Sequence, residues 1–189
     1  LATFLHADPA FAFKGLQGYA GFLSHEQDYA ARAAGATKAA ALLQSIRSAL
    51  AAHGIPVATI SGASTGSSLI DLGMQTFNEL QCGSYVCMDV EYNAVALDSA
   101  ASVLFEPALF VRATVISKIV PGQATIDAGH KHFAGTMAPR IARGLSVAAQ
   151  AAPNSDEHGF VTLAAEDDTL AIGDAIECIP PHCDPTINL

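Results

Sequence analysis

Positive charge is scarce in this sequence. Of its 189 residues only 14% are charged, and nine Lys and Arg stand against 18 Asp and Glu, for a formal net charge of -9. So few cations leave no basic surface for a phosphate backbone, and no nucleic-acid partner is expected. The lysines number only four, Lys14, Lys38, Lys118 and Lys131, and none sits in an evidently apolar stretch that would lower its pKa and make it an imine-forming amine. Long hydrophobic runs are also missing. The Ala-rich stretch from Ala30 to Ala52 is interrupted by Arg32, Lys38, Gln44 and Arg47, so no membrane span is expected. Without an initiator Met, a charged leader or an apolar signal core, no targeting segment is expected either.

Cysteine is sparse and regularly placed, as Cys82/Cys87 and Cys178/Cys183. Five residues apart on a regular strand puts two side chains on opposite faces, so neither pair would chelate one ion from a strand. Hydrophobic residues make up 51% of the chain, enough to build a core without disulfide staples. Free, partly buried thiols in a reducing, cytoplasmic compartment are expected.

What is present reads as two kinds of chain. FKGLQGY (13–19) has the look of a short buried strand, followed by an Ala-rich helix over 26–53 that Gly54 is suited to end. IPVATIS (55–61) is a β-branched apolar run, GASTGSS (62–68) a small-residue loop before a possible further helix, and FNELQCGSYVCMD (77–89) a strand again. This alternation is the grammar of a parallel α/β layer. Beyond about residue 98 the pieces LFVRATVISKIV (109–120), QATIDAG (123–129), GFVTLAA (159–165) and DAIECI (174–179) are strand-like and split by Gly-containing turns. The second half is mostly β, with the boundary within 98–106, giving residues 1–100 and 101–189 as the two domains.

Three stretches could carry chemistry. SGASTGS (61–67) leaves a strand carrying Gly, Ser and Thr, so backbone N–H groups and hydroxyls could converge on an anion; taken alone, a flexible Gly/Ser turn is the commoner case, and neither a P-loop nor a dinucleotide fingerprint is present. In PHCDP (181–185), an extended chain would put His182 and Asp184 on one face, a nitrogen and an oxygen donor suited to Mn, Zn or Mg, and would turn Cys183 elsewhere; the alternative is a surface turn fixed by two prolines. SDEHG (155–159) is a polar turn whose His158 is open as a third ligand. Glu79, Gln81 and Asp89 lie near strand ends, where ligand contacts and ordinary hydrogen bonds are both expected.

Taken in order, GLQGY, SGASTGS, NELQCGSYVCMD, DAGHK, SDEHG and PHCDPTINL resemble the D-threonine aldolase and D-serine dehydratase family, fold-type III pyridoxal-phosphate enzymes of alanine racemase-like architecture. The resemblance runs from about Lys14 to Leu189. It implies an α/β plus β chain: the last strands of a cofactor-binding (β/α)8 TIM barrel, then a β-rich domain like the carboxyl-terminal domain of alanine racemase. It implies that Ser61, Gly62, Ala63, Ser64, Thr65, Gly66 and Ser67 hold the pyridoxal 5'-phosphate, where Ala63 and Ser64 replace the family's usual glycines. Gln17 and Tyr19 would lie at the cofactor pocket and Tyr85 on its floor. Tyr19, His182 and Asp184 would be catalytic, with His182 and Asp184 binding a divalent metal (Mn, Mg or Zn).

The H-x-D spacing of His182 and Asp184 resembles the aldolase branch, whereas H-x-C marks the dehydratases. The implied reaction is cleavage of a small D-β-hydroxy amino acid to glycine and an aldehyde; the alternatives are a D-serine dehydratase-like ammonia-lyase and an inactive fragment or binding module. A monomer or homodimer is expected. The sequence departs from the family in length, since a barrel alone takes about 250 residues, and no lysine matches the imine-forming one. The expectation is therefore the carboxyl-terminal half of such an enzyme.

Overall fold

The carboxylate of Asp28 accepts a hydrogen bond from the backbone N–H of Ala31 at 2.7 Å, and the longest helix of the chain starts there. The computed structural model describes residues 1–100, 104–144, 150–163 and 169–189. They form two units, Leu1–Gly83 with Val95–Leu104, and Ser84–Ala94 with Phe105–Leu189. The expected boundary at 98–106 and the end of the expected strand at 159–165 fall partly outside the described residues.

The first unit contains α1 (Ala2–Ala7), β1 (Gly15–Gly18), α2 (Tyr29–Ala52), β2 (Thr59–Gly62), α3 (Ser68–Met74) and β3 (Glu79–Leu80). The three strands are parallel in the order β1-β2-β3, and their register aligns Gln17, Ser61 and Glu79. Parallel neighbours need a crossover, and α2 supplies it between β1 and β2. Ala36, Ala40 and Leu43 recur at helical spacing along its buried face. Leu43 presses on Gly18 so closely that a Cβ there would stand 2.6 Å from its methyl group. Gly54, at φ 71°, ends the helix in the left-handed conformation, its N–H bonded to the carbonyl of Ala51 at 2.9 Å. Arg32 is fully buried beneath, its guanidinium donating to the carbonyls of Glu26, Gln27 and Ala96.

The second unit contains α4 (Val90–Asn93), β4 (Val111–Ser117), β5 (Gln123–Ile126), β6 (Arg140–Arg143), β7 (Gln150–Pro153), β8 (Gly159–Thr162), β9 (Ala175–Ile179) and α5 (Cys183–Ile187). Its six strands form one antiparallel sheet in the order β6-β9-β4-β5-β8-β7, whose outer strands β6 and β7 approach each other and bring it near closure. Alternate residues point inward: Ala113 and Val115, Ala124 and Ile126, Val161, Ile176 and Cys178 meet Phe133 and Leu163 in one apolar core.

The α/β plus β class read from the sequence holds, but some elements differ. The strand expected over 77–89 pairs only at Glu79–Leu80. After Gly83 the chain makes a 3-10 turn over Ser84–Val86, Met88 adopts φ 49°, and the N–H groups of Cys87 and Met88 both return to the carbonyl of Ser84. A backbone that bonds to itself in this way is withdrawn from the sheet. β6 and β7 were not read from the sequence, because RIAR and QAAP carry no strong β pattern. Pro153 is tolerated because β7 lies at the sheet edge.

Two outcomes follow. Asp28→Ala should lower stability by about 1 kcal/mol, measured by urea denaturation, because it removes the side-chain cap of α2. All four cysteines are free, Cys82 and Cys87 half-buried, Cys178 and Cys183 buried. Burial pushes the Cys178 thiol up to about 12. Iodoacetamide at pH 8 should therefore alkylate Cys82 and Cys87 in the native protein, and Cys178 and Cys183 only in urea, as read by mass spectrometry.

Candidate functional site

In the first unit β2 runs out through Ser61 and Gly62, and the chain turns through Ala63 to Ser67 before α3 begins. Ala63 takes φ 65°, a conformation costly for a residue with a Cβ. Ser64 and Ser67 clasp the turn: each backbone N–H donates to the other's hydroxyl, at 3.1 and 3.3 Å. A Cβ on Gly66 would stand 2.0 Å from the carbonyl of Ser24, so the loop packs there backbone to backbone. All of residues 61–67 are buried.

Beside the loop, Gln17 donates to the Gln81 amide oxygen at 3.3 Å and Gln81 to the Ser61 hydroxyl at 2.8 Å, joining the three strand ends. These side chains share a cavity of about 340 Å³ with Lys14, Thr59 and Glu79. Tyr19 is half exposed, its hydroxyl 3.2 Å from that of Ser24. The structure thus gathers Gln17, Ser61 and, unread as a partner in the sequence, Gln81. Small residues with hydroxyls at the carboxyl end of a parallel strand fit the phosphate of a cofactor. Lys14 precedes β1 at the other end of that strand.

Tyr85 lies in the second unit, on the Ser84–Val86 turn, with its ring 5.5 Å from that of Phe105. The same turn leads into Asp89, which caps α4 and is fully buried. One oxygen of Asp89 accepts the N–H of Tyr92 at 2.7 Å. The other accepts the backbone N–H of Cys183 at 2.8 Å and bonds His182 Nδ1 at 2.8 Å. Burial pushes the Asp89 carboxyl up, but the bond to His182 and those from the two N–H groups outweigh it and hold the carboxyl below its usual range. The Asp89 bond in turn raises His182 above the ordinary imidazole range against the effect of burial.

The extended reading of PHCDP is corrected. The carbonyls of Pro180 and Pro181 take the first N–H groups of α4, from Val90 and Glu91, at 3.1 and 3.0 Å, and hold the chain in place. His182 is the residue before α5, and Cys183 already belongs to the helix. Cys183 is buried and burial, then Asp184, hold its thiol protonated. Asp184 is exposed, and the Ser84 hydroxyl donates to its carboxylate at 3.0 and 3.1 Å. Gly135, at φ 135°, packs against this stretch where a Cβ would stand 2.9 Å from the His182 backbone nitrogen.

Asp89, His182 and Cys183 offer donor atoms close enough together for one ion. In that trio Asp89 already accepts from three donors, and Cys183 is buried. His182 and the exposed carboxylate of Asp184 remain as a nitrogen and an oxygen donor of the kind a divalent cation takes. His158 is placed elsewhere: it is exposed, in a turn whose Ser155 and Asp156 carbonyls accept the N–H groups of His130 and Lys131. Ser84 was the member of the site that sequence gave no sign of, being one hydroxyl a hundred residues from its partner.

Comparison with known proteins agrees with the motifs. The serine dehydratase domain family matches residues 108–189. D-threonine aldolase of Arthrobacter sp is 36% identical over 96% of this chain and 47% of its own length. 3-hydroxy-D-aspartate aldolase of Paracoccus denitrificans (strain Pd 1222) is 34% identical over 97% of this chain and 47% of its length. The crystal structure of D-threonine aldolase from Filomicrobium marinum superposes with a TM-score of 0.89 at 34% identity, covering 99% of this chain and 49% of that one. The chain spans about half the length of each of these proteins. It belongs to the D-threonine aldolase and D-serine dehydratase-like family.

Proposed function

We propose that the chain is part of a lyase that cleaves small D-β-hydroxy amino acids to glycine and an aldehyde, using pyridoxal 5'-phosphate and a divalent cation. On this reading the parallel strands of the first unit belong to a (β/α)8 barrel and the second unit carries the metal ligands. The observation that carries it is the pair His182 and Asp184 on either side of a buried cysteine, each side chain held by a hydrogen bond from elsewhere in its unit. The names of the relatives, aldolases acting on D-threonine and 3-hydroxy-D-aspartate, support the substrate class.

When bound, the cofactor supplies an electron sink for charge at Cα, and the cation supplies a Lewis acid at the β-oxygen. His182 and Asp184 would hold the cation, and the loop Ser61–Ser67 the cofactor phosphate. The Ser84 hydroxyl keeps the Asp184 carboxylate in one orientation, so its oxygens need not reorganise when a ligand arrives. Gln17, Ser61 and Gln81 restrict one another's rotamers at the strand ends. The H-x-D spacing of His182 and Asp184, together with the aldolase names of the relatives, supports cleavage over dehydration.

Manganese(II) titrated into the protein and followed by electron paramagnetic resonance should bind. His182→Ala and Asp184→Ala should each weaken it by about tenfold or more. In the longer lyase of which the chain is proposed to be part, with pyridoxal 5'-phosphate and Mn(II) present, D-threonine should yield glycine and acetaldehyde, and EDTA should stop it. A keto acid with ammonia would move the assignment to a dehydratase. Unchanged Mn(II) binding in both variants would sink the metal site.

A further inference from the structure

Among the described residues Asp89 is the most enclosed carboxylate of the second unit, and its three hydrogen bonds serve two purposes. Two of them, from the N–H groups of Tyr92 and Cys183, come from backbone and tie α4 to α5. The third goes to a side chain, His182. An ionised carboxylate only accepts, so His182 Nδ1 must carry the proton, and Nε2 is then the ring nitrogen that a cation would take. Ring rotation is restricted as well: Tyr92, itself buried, sets its ring edge-on to the imidazole with centroids 5.6 Å apart. A histidine turned by a carboxylate at one nitrogen while it ligates through the other is the general arrangement of metal sites.

We propose that Asp89 is the positioning residue of the metal site: its carboxylate fixes His182 in the Nδ1–H form and aims Nε2 at the cation, while it also caps α4 and holds the N–H of Cys183. This rests on the metal reading above. The His182 geometry is thereby built by a segment almost a hundred residues upstream, and a change at Asp89 acts on the metal without touching it.

The test uses the whole chain with 15N-labelled histidine. His182 is assigned by difference from His182→Ala, and its ring nitrogens are read by NMR without metal. The neutral ring should show a protonated Nδ1 and a bare Nε2. Asp89→Asn, which places an amide beside two backbone N–H donors, should return the ring to a tautomer mixture and weaken Mn(II) binding about 10–100-fold. An Nε2–H form in the unsubstituted protein would overturn the proposal even if Asp89→Asn failed to fold. A folded Asp89→Asn with full Mn(II) affinity, where His182→Ala loses it, would overturn it too. Full affinity in His182→Ala would instead remove the metal reading, leaving the tautomer spectrum to decide the role of Asp89.

Discussion

The buried carboxylate of Asp89 is the interaction on which the second unit's site depends. A charge taken out of water is tolerated only when hydrogen bonds replace the hydration it loses. Asp89 receives three, and each donor belongs to a different piece of structure: the first turn of α4, the imidazole of His182 and the first residue of α5. Removing any one donor would leave the others less well matched, so the three pieces are held in mutual register. Such a network contributes more to specificity of arrangement than to net stability.

Around that carboxylate the surrounding contacts are redundant. Pro180 and Pro181 lack N–H groups, so their carbonyls are available without a competing ladder, and they accept from Val90 and Glu91. The Glu91 carboxylate then accepts from the N–H and hydroxyl of Thr136 and from the N–H of Met137. Gly135 leaves room for the chain to pass over Pro181 and His182. The antiparallel sheet brings β9 to the point where this turn starts, and its alternating core residues fix where Cys178 and Ile179 end the strand. The first unit uses a different device, small residues that let backbone meet backbone at Gly66 and serines that satisfy each other within one loop.

Much of this was legible in the sequence. The helix read over 26–53, found at 29–52, announced itself by alanine content and by Gly54 at its end, and strands β4, β5, β8 and β9 by β-branched runs between turns. The family was legible from the order of short motifs, each weak alone. The route from Gly83 to Asp89 was misread, because SYVCMD has β-forming composition while its backbone turns upon itself through Ser84 and Met88. The extended reading of PHCDP holds for His182, which sits at φ -137°, and fails at Cys183, which opens a helix.

Sequence by itself therefore determined the class of the chain, its family and the candidate donors His182 and Asp184, because hydrophobic periodicity, turn residues and motif order are local properties. The tertiary structure decided which groups hold those donors. Asp89 reaches His182 across 93 positions and Ser84 reaches Asp184 across 100. A hydrogen bond depends on distances of about 3 Å, and no local pattern in the sequence records which distant residues the fold will bring that close.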